Sequence, residues 1–225
     1  AGIVGGDFPK NYTLALGSIS TKPSDMAMFY AALANGGYQV KPQYIYKIEN
    51  KFGEIVYEAK PKMKKIYDSK DVAILTYMLE NAVNYGTGQP AKVMKDGKLI
   101  PMAGKTGTTS DYVSAWFTGY TPTLATVVYV GNDDNKSMGP GMTGGAAAAP
   151  IWKNYMQAVV DLPNYNVGVF EFIDDYITRK DLTTREIDLQ VGLLDRDGVN
   201  KRTALFKAGT EPIEGEGKFR RGVTF

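Results

Sequence analysis

The chain has 225 residues, 44% of them hydrophobic and 22% charged, and its 26 Lys+Arg against 24 Asp+Glu leave a net charge of +2. That length supports one large domain, or one with a small appendage, around a substantial core, and so small a charge is no footprint of a nucleic-acid or membrane partner. There is no His and no Cys, which excludes a Ser-His-Asp triad, imidazole-ligated metals, thiol nucleophiles and disulfides, and leaves acid–base work to Lys, Tyr, Asp or Glu.

No stretch approaches the roughly 18–20 apolar residues of a membrane span; Gly144–Trp152 (GGAAAAPIW) is apolar but far too short. The chain opens with Ala1 and shows no signal peptide, so we read it as a piece whose targeting or anchoring segment is expected upstream.

Residues 1–22 are loop-like, interrupted by Gly2, Gly5, Gly6 and Pro9. A helix is predicted next, capped by Ser24, with Met26, Phe29, Tyr30 and Leu33 as its apolar stripe and Asn35-Gly36-Gly37 as its end. Residues 43–48 and 54–58 read as a hairpin closed by Asn50-Lys51-Phe52-Gly53. A longer helix is predicted over 69–85, capped by Asp68 or Ser69 and stopped by Gly86, with Val72, Leu75, Met78, Leu79, Ala82 and Val83 at helical spacing. Tyr85-Gly86-Thr87-Gly88 reads as its C-cap and loop, with a contact at the rim of a substrate site as the lesser alternative.

Three strands follow, Met102–Thr109, Val113–Thr121 and Ala125–Val130, with connections so short that the neighbours must be antiparallel. The loop 139–145 leads into a helix from Ala147 to Val160, with Pro150 in its first turn. After Leu162-Pro163-Asn164 the composition shifts: about a third of residues 167–225 are charged, against about a sixth before them. Strand-like pieces at Val167–Phe172, Arg185–Leu189 and Ala204–Phe206 and an Asp197-Gly198 turn predict a small, partly packed appendage. The expected class is α+β, an antiparallel meander packed with helices, with one unit over 1–163 and a charged appendage over 164–225.

Most of the chemical information lies in Ala103–Thr109 (AGKTGTT). Gly104-Lys105-Thr106 matches the end of a phosphate loop, but the position of that motif's first Gly is Leu99, and Val113, Trp116, Phe117 and Tyr120 favour a strand where a helix is required. The second reading is the Lys-Thr-Gly strand of active-site serine acyl transferases. Lysine places a positive charge beside the site, threonine offers a short hydroxyl donor to a carboxylate, and glycine lets substrate lie against the strand. The backbone N–H that follows can face an oxyanion. A bare turn before a strand would also account for the tripeptide alone.

The surroundings decide between these readings. Leu14–Ser18, Met26–Gly37 (MAMFYAALANGG), Lys41-Pro42, Asn84–Gly88, Gly104–Thr109, Ser114–Tyr120 (SAWFTGY), Val130–Asp134, Gly144–Trp152, Gly192-Leu193-Leu194 and Gly209–Pro212 occur in that order. In this ordered set the chain resembles the transpeptidase domain of class A (bifunctional) penicillin-binding proteins, the peptidoglycan synthases. The resemblance implies an incomplete serine transpeptidase/β-lactamase-like fold, with the meander around the Lys-Thr-Gly strand. It implies that Lys105 is catalytic and that Thr106, Gly107 and Thr108 bind substrate, the Thr108 N–H forming half of an oxyanion hole. Trp116 and Phe117 are expected as core behind that strand.

The family's other motifs, Ser-x-x-Lys with the acylated serine and Ser-x-Asn, do not occur: no Ser is followed three residues on by Lys, or two on by Asn. They are expected upstream, with the glycosyltransferase domain and membrane anchor further upstream still. The implied partners are peptidoglycan stem peptides and β-lactams, with no nucleic acid, no cofactor and no metal. The membrane is reached only through the missing anchor, on the extracytoplasmic (periplasmic or cell-surface) side. Exposed sheet edges predict a dimer or rearranged packing. A serine β-lactamase or DD-carboxypeptidase is the enzyme alternative; a non-catalytic binding module is the alternative of another class.

Overall fold

The computed structural model describes residues 12, 17, 19–189, 192, 194 and 201–212. Its centre is a three-stranded antiparallel sheet of order β5-β6-β7, with β5 Ala103–Thr108, β6 Ser114–Tyr120 and β7 Ala125–Gly131. Side chains alternate across such a sheet, and β6 shows what each face meets. Phe117 turns to one side, its ring centroid 5.2 Å from that of Trp152 on α3 (Ala149–Val160). Tyr120 turns to the other, 5.9 Å from Tyr30 on α1 (Pro23–Ala34) and 5.6 Å from Phe170.

Two buried clusters result. Val83, Val93, Met102, Phe117, Trp152, Met156 and Val160 form the first. The second joins Tyr30, Leu33, Val72 and Tyr120 to Phe170, Ile173, Leu182 and Leu205, so the charged C-terminal part supplies side chains to the same core as α1.

The predicted elements stand with four corrections. Pro23, not Ser24, begins α1, and its N-cap Lys22 makes no side-chain bond; proline is pre-set for a first helical position and costs no hydrogen bond there. The helix does end at Asn35-Gly36-Gly37, where a Cβ on Gly37 (φ +104°) would lie 2.7 Å from the Tyr67 carbonyl oxygen.

The hairpin is shorter than expected, β1 Lys47–Glu49 with β2 Ile55–Glu58. Beyond Glu58 the chain runs into Pro61, which has no N–H to donate, so residues 43–45 find no partner strand. Asn50 closes the turn by accepting from the backbone N–H groups of Phe52 at 2.9 Å and Glu54 at 3.1 Å.

Residues 167–172 form no strand. Phe170, Ile173 and Ile177 recur at helical spacing, and the chain forms α4, Glu171–Thr178. The helix predicted from Ala147 opens with a π-helical turn over Gly144–Ala148, and α3 begins only at Ala149. A short hairpin that the strand patterns did not reveal, β3 Met94–Lys95 and β4 Lys98–Leu99, turns on Asp96 and Gly97, both at positive φ.

Helix α2 (Ser69–Asn84) is capped by Asp68, whose carboxylate accepts from the Lys70 N–H; that bond holds its carboxyl below the usual range. Strands β8 (Leu182–Asp188) and β9 (Lys201–Lys207) pair as a hairpin and extend beyond the predicted pieces. The predicted Asp197-Gly198 turn lies outside the described residues. Among the described residues, no helix is long and apolar enough to cross a membrane.

Burial pushes the Glu80 carboxyl on α2 up to about 7, and the charge of Asp174 on α4 adds to the shift; Tyr77 and Tyr120 are the other titrating groups coupled to it. The folded state therefore binds a proton at Glu80 that the unfolded chain has already released. This contribution to stability is complete below pH about 4.5 and is lost as pH rises through about 7, by roughly 2–3 kcal/mol at most. Between pH 5 and 8 the urea midpoint is expected to fall, and Glu80→Gln should flatten that slope. With no His in the chain, few other groups titrate in this window.

Candidate active site

Strand β5 is an edge of the sheet, and it carries all four residues singled out from the sequence. Lys105 and Gly107 pair with Thr118 and Trp116 on one face, while Thr106 and Thr108 pair with Phe117 and Ala115 on the other. Lysine and threonines thus start on opposite faces. The exposed Lys105 side chain folds back around the strand, its Nζ donating to the Thr106 carbonyl oxygen at 3.1 Å and approaching Thr106 Oγ1 at 3.4 Å. The ammonium is in this way brought to the threonine hydroxyl.

Two other segments close on the threonine face. Thr87, in the loop after α2, places its Oγ1 2.7 Å from Thr106 Oγ1. The sequence marked that loop chiefly as a helix terminus, with a rim contact to substrate as the lesser reading. Its one clue was a hydroxyl in a Gly-Thr-Gly stretch, and nothing in local spacing shows a contact across 19 residues.

The second segment is the π-helical turn. The Gly144 N–H donates to Thr108 Oγ1 at 2.9 Å, and a Cβ on Gly144 would overlap the carbonyl oxygens of Trp116 and Gly107. Only glycine permits this approach of backbone to strand. What lies against Gly107 in this structure is therefore the chain's own Gly144. The π turn is held by Thr143, whose Oγ1 accepts from the Ala146 N–H at 3.2 Å.

The two aromatic residues of β6 separate. Phe117 is fully buried behind β5, as expected. Trp116 is only partly buried; it lies on the Lys105 face, its ring 4.8 Å from that of Tyr129. The core assignment holds for the first and not for the second.

These hydrogen bonds define what the hydroxyls can still do. Thr108 Oγ1 accepts from Gly144, so its own proton remains to be donated to an anion. Thr106 Oγ1 lies between an ammonium and a second hydroxyl, which orders it without consuming all its capacity. A cation and two directed hydroxyls on a sheet edge are suited to holding a carboxylate.

The family profile described as "Penicillin binding protein transpeptidase domain" matches residues 8–157, two thirds of the chain. The chain belongs to this family. Penicillin-binding protein 1A of Aquifex aeolicus is 38% identical over 154 residues, 68% of this chain and 21% of that protein. Penicillin-binding protein 1A of Pseudomonas aeruginosa is 30% identical over 213 residues, with 72% of this chain and 26% of that protein aligned. The chain thus spans about a quarter or less of the curated relatives it matches.

Among solved structures, penicillin-binding protein 1A from Haemophilus influenzae superimposes with a TM-score of 0.73 at 27% identity, covering 91% of this chain and 34% of that one. PonA1 from Mycobacterium tuberculosis in complex with penicillin V gives a TM-score of 0.60 at 26% identity, covering 71% of this chain and 44% of that one. The serine transpeptidase/β-lactamase-like fold expected from the sequence is the fold of these neighbours. Residues 8–157 of this chain are therefore part of a penicillin-binding protein transpeptidase domain.

Proposed function

We propose that this chain forms the Lys-Thr-Gly wall of a DD-transpeptidase site whose acylated serine is supplied by a preceding segment. The observation that carries the reading is the array of Lys105, Thr106 and Thr108 on an edge strand, with Thr87 and Gly144 fixing the two hydroxyls. In this reading Lys105 sets a positive potential beside the serine and eases its loss of a proton. Thr106 and Thr108 bind the carboxylate of a stem peptide or a β-lactam. The Thr108 N–H faces the oxyanion, and Gly107 keeps the Trp116 side of the strand free of a side chain. The serine Oγ attacks the D-Ala-D-Ala amide carbon, and D-alanine leaves with the proton. An amine of a neighbouring stem then displaces the serine, which recovers a proton.

The same reading makes the complete protein a glycosyltransferase as well, anchored in the cytoplasmic membrane with this domain on its outer side. What supports it is the similarity to proteins named penicillin-binding protein 1A, of whose curated length this chain covers about a quarter or less. The test is labelling by a fluorescent penicillin. The 225-residue chain alone should take no stable label, because it has no Ser-x-x-Lys. Joined to a segment that carries Ser-x-x-Lys and Ser-x-Asn, it should be acylated at that serine. Stable labelling of the chain alone would overturn the assignment.

The dimer belongs to the same proposal. The β1–β2 hairpin exposes Ile48, Ile55, Val56 and Tyr57, and β5 and β7 are the sheet's two edges. Exposed apolar strands of this kind favour self-association. Light scattering should show a mass above 24.6 kDa that rises with concentration; a constant monomer mass across the micromolar range would count against it.

A further inference from the structure

The connection between β5 and β6 holds two consecutive non-glycine residues in left-handed backbone, Asp111 (φ +58°) and Tyr112 (φ +56°). Aspartate tolerates that region, but a bulky tyrosine is strained there and stays only where its surroundings hold it. What holds it is the exposed loop after β7, residues 132–143. The Ser137 hydroxyl donates to the Asp111 carbonyl oxygen, and the Met138 N–H donates to that of Tyr112 at 2.9 Å. The Asn132 amide donates to the carbonyl oxygens of Lys136 and Ser137 at 3.1 and 3.3 Å, and Ser137 Oγ accepts from the Gly139 N–H at 3.2 Å. The Ser137 hydroxyl is thus aimed by its own loop.

This assembly reaches the candidate site at two points. Thr109, next to Thr108, closes the base of the strained turn. Its N–H donates to the Ser114 carbonyl oxygen at 3.1 Å, its Oγ1 accepts from the Ser114 N–H at 2.8 Å, and its carbonyl oxygen accepts from the Tyr112 N–H at 3.3 Å. Bonded and non-bonded pairs alternate along an antiparallel ladder, so with Thr109 bonded to Ser114 the Thr108 N–H points away from β6, out of the open edge. The loop after β7 also runs on to Gly144, whose N–H holds the Thr108 hydroxyl. Different bonds therefore fix the two groups of Thr108: Gly144 fixes the hydroxyl, and the turn that starts at Thr109 fixes the direction of the N–H.

We propose that Ser137 is a positioning residue for this site. By holding the Asp111–Tyr112 peptide it keeps Tyr112 left-handed, and through Thr109 it sets the direction of the Thr108 N–H. The inference rests on the transpeptidase reading and deepens it. A donor aimed at charge that develops in the transition state acts on the chemical step, whereas the substrate carboxylate is held by hydroxyls that Ser137 does not touch. Loss of the Ser137 hydroxyl therefore lowers the limiting rate of acylation and leaves the half-saturating concentration in place.

The experiment follows acylation by penicillin V in the complete protein. Ser137→Ala should lower the limiting rate about tenfold, with the half-saturating concentration within about twofold of wild type. Ser137→Thr keeps a hydroxyl and should recover most of the rate. Glycine adopts positive φ without strain, so in a Tyr112→Gly background the loss caused by Ser137→Ala should shrink to about twofold or less. In the 225-residue chain, ¹⁵N NMR should show the Thr108 and Thr109 amides moved by Ser137→Ala and not by Ser137→Thr, at an unchanged urea midpoint.

A limiting rate that Ser137→Ala leaves unchanged, a loss equally large with glycine at position 112, or a loss confined to the half-saturating concentration overturns the proposal. So does a urea midpoint that falls in step with the rate, since Ser137 then only holds the fold together. A wild-type complete protein that penicillin V fails to acylate refutes the transpeptidase reading instead, and the amide shifts then still decide whether Ser137 sets the backbone at Thr108.

Discussion

Replacing Lys105 with alanine in the complete protein is expected to lower the second-order rate of acylation by penicillin V about 10²–10³-fold, the usual scale for losing one preorganised electrostatic group. Lys105 is exposed, and its bonds are to Thr106 in its own strand. The urea midpoint should therefore move little, which separates a chemical role from a structural one. Lys105→Arg keeps the charge but offers a planar fork in place of a compact ammonium, and recovers only part of the rate. Wild-type acylation rates in Lys105→Ala would remove the lysine from the mechanism and with it the central assignment.

Trp152→Ala is expected to have the largest effect on stability, about 3–5 kcal/mol, as for a large aromatic deleted from a closed core. Trp152 is fully buried, its ring meets Phe117, and its indole N–H donates to the Thr126 carbonyl oxygen at 3.0 Å. Gly119 leaves room for the ring, because a Cβ there would lie 2.9 Å from Trp152 Cζ2. Truncation thus opens a cavity beneath β6 and strands a carbonyl. Trp152→Phe refills part of the space without restoring the hydrogen bond, and should cost less. Urea melts of the three proteins measure the difference; a loss below about 1 kcal/mol for alanine would show that the sheet and α3 are not packed as described.

Much of this core could be read from the sequence because it follows simple periods. The strands of the meander, the apolar stripe of α2 and Pro150 in the first turn of α3 are local signals, and each lies within a residue or two of its predicted place. Val167–Phe172 misled because Val167, Val169 and Phe170 favour a strand taken singly, whereas burial of Phe170, Ile173 and Ile177 together requires a helix. Propensity yielded to tertiary packing.

The candidate site was legible in part, for a related reason. Lys105 to Thr108 are contiguous and were identified by motif. Thr87 and Gly144 reach them from 19 and 36 residues away, and a one-dimensional pattern carries no record of such a meeting. Asp96-Gly97 was a turn signal in plain sight, but the strands it joins have only two residues each.

The short loop after α2 cannot shift on its own. The N–H groups of Gly86 and Gly88 both donate to the Ala82 carbonyl oxygen, at 3.2 and 3.0 Å, and side chains at either glycine would crowd that same oxygen. Thr87 is thereby carried rigidly on the last turn of the helix, as a tooth is on a wheel. Under the proposed function, a substitution on the hidden side of that helix, at Val72 or Val83, is expected to reach the Thr106 hydroxyl through Thr87 as well as the core, so that residues that never meet the substrate bear on the group that does.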